Sequence, residues 1–566
     1  MVSPRQWKLA VVLASLSSLA HAALPDGRFN GNIMPHPAIP PVEVPEGLPV
    51  VSRNGTQLPP YNQTYIFDQL IDHNNPSLGT FKQRFWHTYE FYEPGGPIIL
   101  MTPGEANAQP YSGYLTNRTI NGLIAQQQNG SAIVLEHRFY GLSNPKPDLS
   151  AESLKLHTIQ QAIDDLEYFA KNVKLPQPDG DKVAPGQAPW ILIGGSYSGA
   201  LTSFTMVNKP NLFHAGYASS AVVESILDFW RYFEPVRQNM PRNCSADVQA
   251  VIAHIDTVFK GNNATAIQAI KDNFGLGIVT HLDDVAGALR NNLWDWQSLQ
   301  VTSGPNTTFT RFCDSLEVKN GVSAPASGWG VETALPAWGN FWKSGYLRNV
   351  CGKQNAEDCL GSYNVTQDYW TNTTVDNANR SWFWIVCNEV GFLQEGAPTG
   401  QPSLVTRLVQ PAYDLRQCQQ MFPAAFPKPP NVNVARTNAA YKGWNVKINR
   451  LFFANGLRDP WREATMSAQS ITVNVKSTSQ QPIAMGDGFH CTDLSAGSAV
   501  DATVNAVQQK ALASMKTWLT QWKPTSTHAG PKGNSPQIDS RPSFGRNSRE
   551  KPVNAWFRPS SSFNGA

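Results

Sequence analysis

One serine has the surroundings of a catalytic nucleophile. The segment 190–199 reads WILIGGSYSG, an apolar run that ends in small residues around Ser196. Such a run, ended by glycines and followed by helix-forming residues, predicts a buried strand that turns sharply into a helix. A nucleophile on this kind of strained turn requires small neighbours. The strict G-x-S-x-G pattern has glycine where this chain has Ser198, so an ordinary strand-to-helix loop remains an alternative on the motif alone.

A serine hydroxyl becomes a good nucleophile when an imidazole takes its proton and a carboxylate orients that imidazole. Two later apolar segments are followed by these groups: Asp459 comes after 451–454, and His490 comes after 483–485. Serine, aspartate, histidine is the chain order of the α/β-hydrolases. Ser196, Asp459 and His490 are therefore the predicted nucleophile, acid and base.

The acid and the base each have a simpler interpretation when taken alone. Asp459 precedes a proline and is compatible with a turn cap, and His490 lies beside glycines in what could be a surface loop. Asp487 is a competing acid, but a carboxylate only three residues before His490 is more typical of a residue that shapes the loop. The joint position of the pair after successive strands favours Asp459.

The negatively charged oxygen that forms during acyl transfer needs hydrogen-bond donors that are already in position. In this arrangement one donor is the backbone N–H after the nucleophile, which belongs to Tyr197. The second is expected from an upstream loop, and Gly104 in the TPGE segment 102–105 is the candidate. Glu105 in the same loop is a candidate for substrate recognition or for a structural role, and the sequence does not choose between them.

A parallel sheet is needed to bring these residues together. The apolar runs 96–101 and 132–135 predict buried parallel strands, and apolar residues at helical spacing in 156–173 predict a crossover helix. After 215 the pattern becomes mostly helical until about 440. The fold class is therefore predicted to be α/β, an α/β-hydrolase fold with a large, mostly helical cap inserted between the nucleophile and the acid.

The chain has 566 residues, more than one typical domain requires. It begins with two basic residues, a short apolar core and a small-x-small end at Ala22, which predicts a cleaved secretory signal. The predicted organisation is a signal peptide at 1–22, a proline-rich segment at 23–60, the first part of the hydrolase domain at 61–215, the cap at 216–440, the second part at 441–523, and a disordered tail at 524–566.

Sequons agree with a secretory route, and we expect glycosylation at several of them. The acceptor asparagines are Asn54, Asn62, Asn117, Asn129, Asn243, Asn263, Asn306, Asn364, Asn372 and Asn379. Seven cysteines in an oxidising compartment predict disulfides with one thiol left over. We expect Cys351 to pair with Cys359 and Cys491 to stay unpaired, although sequence does not determine connectivity.

The remaining composition excludes several partners. The formal charge of +3 comes from the leader and the basic tail, so the body of the chain is mildly acidic and no nucleic-acid partner is expected. No apolar stretch is long enough to span a bilayer. The lack of C-x-x-C pairs or His-rich spacing argues against a metal site, and no cofactor is predicted. A secreted monomer or homodimer is expected, with an acidic vacuole-like or lysosome-like compartment as the alternative location.

Motifs along most of the chain resemble those of the S28 serine peptidases, a family that includes prolyl carboxypeptidase and dipeptidyl peptidase II. The likeness runs from about 61 to 522 and is greatest to the fungal acid prolyl endoproteases. It rests on QLIDHNNP at 69–76, TFKQRFW at 80–86, TPGE at 102–105, EHRFYG at 136–141, GGSYSG at 194–199, DPW at 459–461 and GFHC at 488–491.

The resemblance implies an α/β-hydrolase domain with a helical cap, the triad of Ser196, Asp459 and His490, and cleavage after proline at acidic pH. It also implies that Trp461 lines the pocket for the residue before the cut bond. A rigid, apolar pyrrolidine ring fits a slot with aromatic walls, which agrees with that role. Proline-containing peptides or proteins are then the expected substrates.

Three functions remain open at this stage. The leading hypothesis is a secreted serine peptidase that acts after proline through an acyl-enzyme, as an endopeptidase or in a carboxypeptidase or dipeptidyl-peptidase mode. The triad does not distinguish amides from esters, so a secreted esterase or lipase is the second hypothesis, although the chain lacks an HGGG-type loop. The third is a catalytically inactive hydrolase fold that serves as a binding protein.

Overall fold

The structure is a computed structural model that describes residues 28, 30–44, 47 and 49–525. The predicted signal peptide at 1–22 lies outside the described residues. Of the predicted tail, only residues 524 and 525 are described.

An eight-stranded, mostly parallel sheet forms the centre of the catalytic part. In sheet order the strands are β1-β2-β4-β3-β5-β6-β7-β8, and only β2 runs antiparallel to its neighbours. Their bounds are Thr64–Leu70 (β1), Thr80–Thr88 (β2), Ile98–Thr102 (β3), Ser131–Leu135 (β4), Trp190–Gly195 (β5), Ala215–Ser219 (β6), Leu451–Gly456 (β7) and Ile483–Gly486 (β8). The predicted α/β-hydrolase fold is confirmed by this architecture.

Helices cover both faces of the sheet, because alternate residues of each buried strand point to opposite sides. Leu192 of β5 joins the core beneath one set of helices, whereas Ile191 and Ile193 join the other. The helices of this part are Ile120–Gln128, the short Ala151–Leu154, Ile159–Asn172, Tyr197–Asn208 and Ala502–Leu519.

Two predictions about the strands need correction. The sequence pattern missed β1, β2 and β6, and the predicted domain boundary at 215/216 falls inside β6, so the sheet continues to Ser219. The sequence of β6 is AGYAS, which lacks the branched apolar residues by which buried strands are usually recognised.

The inserted region between β6 and β7, which we call the cap, is mostly helical as predicted. Two short strand pairs interrupt it, Ile226–Asp228 with Gly391–Leu393 and Val318–Lys319 with Val322–Ser323. Its helices are Phe233–Asn239, Arg242–Lys260, Ala264–Asn273, Leu282–Ala288, Asn291–Trp294, Thr308–Glu317, Val331–Phe341, Leu347–Cys351, Ala356–Leu360, Asp368–Thr371, Ala378–Ile385, Pro411–Met421 and Val434–Tyr441.

Three disulfides lie in the cap, joining Cys244 to Cys313, Cys351 to Cys359, and Cys387 to Cys418. The expected pairing of Cys351 with Cys359 is confirmed. Cys491 is buried and forms no disulfide, also as expected.

The proline-rich N-terminal segment connects the cap to the catalytic part. The side-chain amide of Asn32 donates to the backbone carbonyls of Asp284 and Leu360, at 2.9 and 2.6 Å. Further along, Ile39 is buried, and a Cβ placed on Gly195 would lie 2.8 Å from its side chain. This segment therefore packs directly behind the residue that precedes the predicted nucleophile.

Nine of the ten sequon asparagines are exposed or partly exposed. Asn379 is the exception, because it is buried and its Oδ1 lies 3.1 Å from Nδ1 of His36. A glycan on Asn379 would have to displace the side chains that pack around it. Within the described part of the chain, no helix combines the length and the apolar character needed to cross a bilayer.

Candidate active site

Ser196 occupies the strained turn that its motif predicts. It follows β5 directly, precedes the helix Tyr197–Asn208, and has φ 58° and ψ −126°. Positive φ is costly for a residue with a side chain. The turn leaves no room for larger neighbours, because a Cβ on Gly194 would lie 2.0 Å from the carbonyl oxygen of Ser198. The small residues of the motif are therefore a steric requirement of the turn.

Ser198, the departure from the strict pattern, has a structural role. Its Oγ accepts a hydrogen bond from the backbone N–H of Gly195 at 3.0 Å and donates to the carbonyl of Gly195 at 2.7 Å. This hydroxyl joins the first turn of the helix to the end of the strand. Glycine at this position would lack both bonds.

Asp459 and His490 are joined as an acid and a base would be. Nδ1 of His490 donates to Oδ1 of Asp459 at 2.9 Å, and the same oxygen accepts from the backbone N–H of Trp461 at 2.9 Å. Both side chains are buried. Burial alone would lower the pKa of His490, but the adjacent carboxylate of Asp459 and, after it, the neighbouring Cys491 raise it, so the pKa lies well above its usual value. Asp459 thus stabilises a protonated imidazole.

The competing acid, Asp487, is engaged elsewhere. It accepts a hydrogen bond from Nε of Arg458 at 2.7 Å and forms an ion pair with that guanidinium at the protein surface. Its position supports the choice of Asp459 as the partner of His490.

The loop of the base packs against the turn of the nucleophile. The backbone N–H of Cys491 donates to Oγ of Ser220 at 3.0 Å, and a Cβ on Gly195 would lie 3.0 Å from Sγ of Cys491. Oγ of Ser196 and Nε2 of His490 are both buried and have no hydrogen-bond partner among the described residues. Catalytic hydrogen bonds often form only when substrate is bound, so the missing bond does not exclude a catalytic role for either atom.

The two candidate oxyanion donors differ in their surroundings. Tyr197 is the first residue of its helix, and N–H groups of a first helical turn have no intrahelical acceptor. The N–H of Gly104, in contrast, donates to Oγ1 of Thr102 at 3.3 Å. Gly104 has φ 76° and its loop touches Ser198, so the loop does lie beside the nucleophile turn. Gly104 is the less well supported of the two donors.

Glu105 is a carboxyl group buried beside the base. It is completely buried, and neither of its oxygens has a hydrogen-bond partner among the described residues. Burial raises its pKa to about 8, and two weaker effects oppose that rise: an interaction with its own backbone N–H and attraction to His490. Glu105 is therefore a neutral acid over the whole acidic range.

Trp461 lies at the centre of an aromatic cluster. Its ring centroid is 5.6 Å from Phe229, 5.3 Å from Tyr232 and 5.4 Å from Phe392, three residues of the cap. The centroid of the His490 ring is 6.3 Å away. The cluster therefore lies next to His490.

One short segment of the cap contacts both loops that carry the acid and the base. The indole N–H of Trp296 donates to the carbonyl of Arg458 at 2.7 Å. Gln300 donates to the carbonyl of His490 at 3.3 Å and accepts from the hydroxyl of Thr492 at 2.9 Å. Ser196 itself is completely buried in this structure.

The sequence did not predict the residues that hold the nucleophile turn in place, such as His137. The hydroxyl of Tyr197 lies 3.2 Å from Nε2 of His137, whose Nδ1 is 2.8 Å from the carbonyl of Arg138. Since a carbonyl only accepts, Nδ1 carries the proton and Nε2 accepts from Tyr197. The EHRFYG motif that contains His137 was the available signal, but its role required the structure.

The residues that the structure describes contain no group of three or more side chains suited to hold a metal ion.

Comparison with known proteins identifies the family. The model of the serine carboxypeptidase S28 family matches residues 69–511. The chain belongs to the S28 serine peptidases. This S28 peptidase is 33% identical over 501 residues to the serine protease vicPb of Bipolaris victoriae, covering 85% of this chain and 92% of the relative.

The chain is also similar to a further relative and to a solved structure. Over 439 residues, the S28 peptidase is 33% identical to the "Probable extracellular serine carboxypeptidase" of Arthroderma benhamiae, covering 73% of this chain and 60% of the relative. Among solved structures, it is similar to an acetylester hydrolase from Corynebacterium glutamicum, with 11% identity, a TM-score of 0.32, and coverage of 80% and 95%.

Proposed function

We propose that this S28 peptidase is secreted and hydrolyses peptide bonds after proline through an acyl-enzyme on Ser196. The observation that carries the proposal is the hydrogen-bonded pair of Asp459 and His490, which stands between the nucleophile turn and the aromatic cluster around Trp461. An apolar aromatic cluster, the proposed binding slot for proline, thus lies next to the proposed acid and base.

In the proposed mechanism, Nε2 of His490 takes the proton of Ser196 while Oγ attacks the carbonyl carbon before the cut bond. Asp459 stabilises the imidazolium that results. The N–H of Tyr197, with Gly104 as the candidate second donor, stabilises the negative charge on the carbonyl oxygen. His490 then returns the proton to the departing amine. A water molecule, deprotonated by His490, hydrolyses the acyl-enzyme and releases Ser196.

The selection of proline is attributed to the aromatic cluster, which would form the walls of a binding slot. Phe229, Tyr232, Phe392 and Trp461 bring four aromatic rings together, and all four side chains are buried. A proline ring is rigid and apolar, so it loses little conformational entropy on entering such a slot. The raised pKa of His490 gives no support to an acidic working range.

Secretion is supported by two observations. The N-terminal 22 residues have the composition of a cleaved signal, and one relative is named as an extracellular enzyme. The exposed and partly exposed sequon asparagines, from Asn54 to Asn372, are the proposed glycosylation sites. Asn379 is not among them.

A cleavage-site profile on a mixed peptide library tests the proposal. Half of the library carries blocked termini, and short esters without a peptide moiety are assayed in parallel. We expect cleavage after proline above all other residues. Cutting of blocked peptides would identify an endopeptidase, and cutting of unblocked peptides alone would identify an exopeptidase. A profile without preference for proline, or hydrolysis of esters alone, would contradict the proposal.

A further inference from the structure

Two buried donors of the aromatic cluster share one acceptor. The indole N–H of Trp461 donates to Oε1 of Gln297 at 2.7 Å, and the hydroxyl of Tyr232 donates to the same oxygen at 3.0 Å. An indole nitrogen can only donate, so the atom of Gln297 that receives it is the amide oxygen. Both rings are therefore tied to a single atom of the cap.

These bonds fix the angle between the two rings. Trp461 and Tyr232 meet edge to face, with an interplanar angle of 85°. The rings of Phe229 and Phe392 pack on Trp461 but carry no polar group that could hold it. Apolar contact is non-directional, whereas hydrogen bonds to one oxygen define the rotation of both side chains.

Gln297 itself is held by its segment. Its neighbour Trp296 is anchored to the carbonyl of Arg458, one residue before the proposed acid, and packs on Phe489, one residue before the proposed base. Gln297 is only partly buried, in contrast to the rings that it holds. The acceptor thus reaches inward from the cap surface, at the point where the cap meets the catalytic loops.

We propose that Gln297 is a specificity-determining positioning residue, which holds Trp461 and Tyr232 at the spacing and angle that fit a proline ring before the cut bond. The inference rests on the proposed function and deepens it. Loss of the acceptor would leave two buried donors unpaired, and the rings would rotate or separate to recover partners. A slot with rearranged walls would fit proline less well, while a small residue such as alanine would be affected less.

Two substitutions separate the acceptor from the shape of the side chain. Gln297→Met keeps the length and removes the acceptor, whereas Gln297→Glu keeps an oxygen that accepts from both rings. Gln268→Met is the matched control, because Gln268 is an exposed glutamine on the cap helix Ala264–Asn273. The readout is the ratio of kcat/KM for two end-blocked peptides that differ only in proline or alanine before the cut bond.

We expect Gln297→Met to lower this proline-to-alanine ratio about 10- to 100-fold. Gln297→Glu and Gln268→Met should stay within about threefold of the wild type, a change that corresponds to less than one hydrogen bond. Labelling of Ser196 by a fluorophosphonate probe and the thermal unfolding midpoint establish that each variant is folded with an accessible nucleophile.

The outcomes distinguish this inference from the function on which it rests. A proline-selective wild type whose Gln297→Met variant keeps the ratio would overturn the inference alone. The inference also fails if Gln297→Glu is as impaired as Gln297→Met, since the acceptor would then not be the feature that matters. A wild type with no preference for proline would overturn the proposed function itself, and the inference with it.

Discussion

Glu105 is a carboxyl group whose surroundings disfavour its charged form. It is completely buried beside the proposed base and has no hydrogen-bond partner among the described residues. Because its pKa is raised to about 8 by burial, it is neutral through the acidic and neutral range. A neutral carboxyl beside the catalytic groups does not compete with Asp459 for the positive charge on His490.

This environment predicts how activity responds to the amide isostere. Glu105→Gln should keep kcat/KM within about threefold of the wild type below pH 7, because both side chains are neutral there. The ratio of kcat/KM between variant and wild type should change as pH rises through about 8, because Glu105 ionises there in the wild type and the amide of the variant does not.

The measurement is the pH profile of kcat/KM, with the exposed Glu332→Gln as control. Loss of activity in Glu105→Gln at every pH would mean that the carboxyl group itself, charged or as a proton donor, takes part in the reaction.

The positions of Asp459 and His490 after successive strands were enough to predict that the two side chains lie together, and they are found hydrogen-bonded. Their roles as acid and base stay predictions. Trp461 was predicted through a family likeness. Gln297 was not predicted, because it is 164 positions from Trp461 and belongs to no motif. Sequence patterns identify residues that carry chemistry, whereas the residues that hold them are defined only by the tertiary contacts.

At the scale of elements, the nucleophile turn depends on the hydroxyl of Ser198. It bonds both the N–H and the carbonyl of Gly195. Ser198→Ala should therefore lower the free energy of unfolding by about 1–2 kcal/mol, the value of a buried hydrogen-bond pair. Equilibrium unfolding in urea measures it.

Ser203 in the same helix is the matched control. Its Oγ is buried and has no hydrogen-bond partner among the described residues, so Ser203→Ala should be neutral or slightly stabilising. Equal destabilisation by the two substitutions would mean that packing, and not the bonds to Gly195, explains the effect at Ser198.

Strands such as β5 and β7 could be predicted because each begins with an uninterrupted run of apolar residues. The edge strand β1 alternates exposed and half-buried positions, and β6 consists largely of small residues, so neither has that signal. The N-terminal segment was interpreted only as proline-rich. Its packing depends on single contacts such as those of Asn32 and Ile39, which have no periodicity to detect.

At the scale of the whole molecule, several buried acidic side chains have raised pKa values. Burial is the main cause in each case, and the values are about 6 for Asp284, 8 for Glu105, 7 for Glu317, 7 for Glu389 and 11 for Glu395. Three buried histidines have the opposite shift: burial lowers the pKa of His87 and His137 to about 4 and that of His157 well below its usual value.

The two groups act on stability in different pH ranges. A carboxyl group whose pKa is raised in the folded state binds its proton more tightly there than in the unfolded chain. Its contribution to stability therefore declines as pH rises from the pKa of the unfolded state to that of the folded state. The histidines contribute fully above about pH 6.5 and lose that contribution as pH falls towards 4. Of these groups, the carboxyl groups and His490 are the ones that make the free energy of unfolding depend on pH between about 6.5 and 8. Each of them makes the folded state more stable at the lower pH.

The unfolding midpoint should accordingly be higher at pH 6.5 than at pH 8. Each such group contributes up to about 1.4 kcal/mol per pH unit within its range. Thermal unfolding across this interval, in buffers of equal ionic strength, measures the difference. Glu389→Gln should reduce the slope without removing it. A midpoint that is constant or rises over this interval would contradict the burial of these acids.

The central claim is that Ser196 is the nucleophile of a peptidase that cuts after proline. The most direct test compares wild type and Ser196→Ala on an end-blocked peptide that contains one proline, with Ser203→Ala as the serine control and unfolding midpoints to establish folding. We predict that the wild type cuts after that proline and that Ser196→Ala loses at least about 10⁴-fold in kcat, with Ser203→Ala unaffected. Full activity in folded Ser196→Ala would contradict the claim.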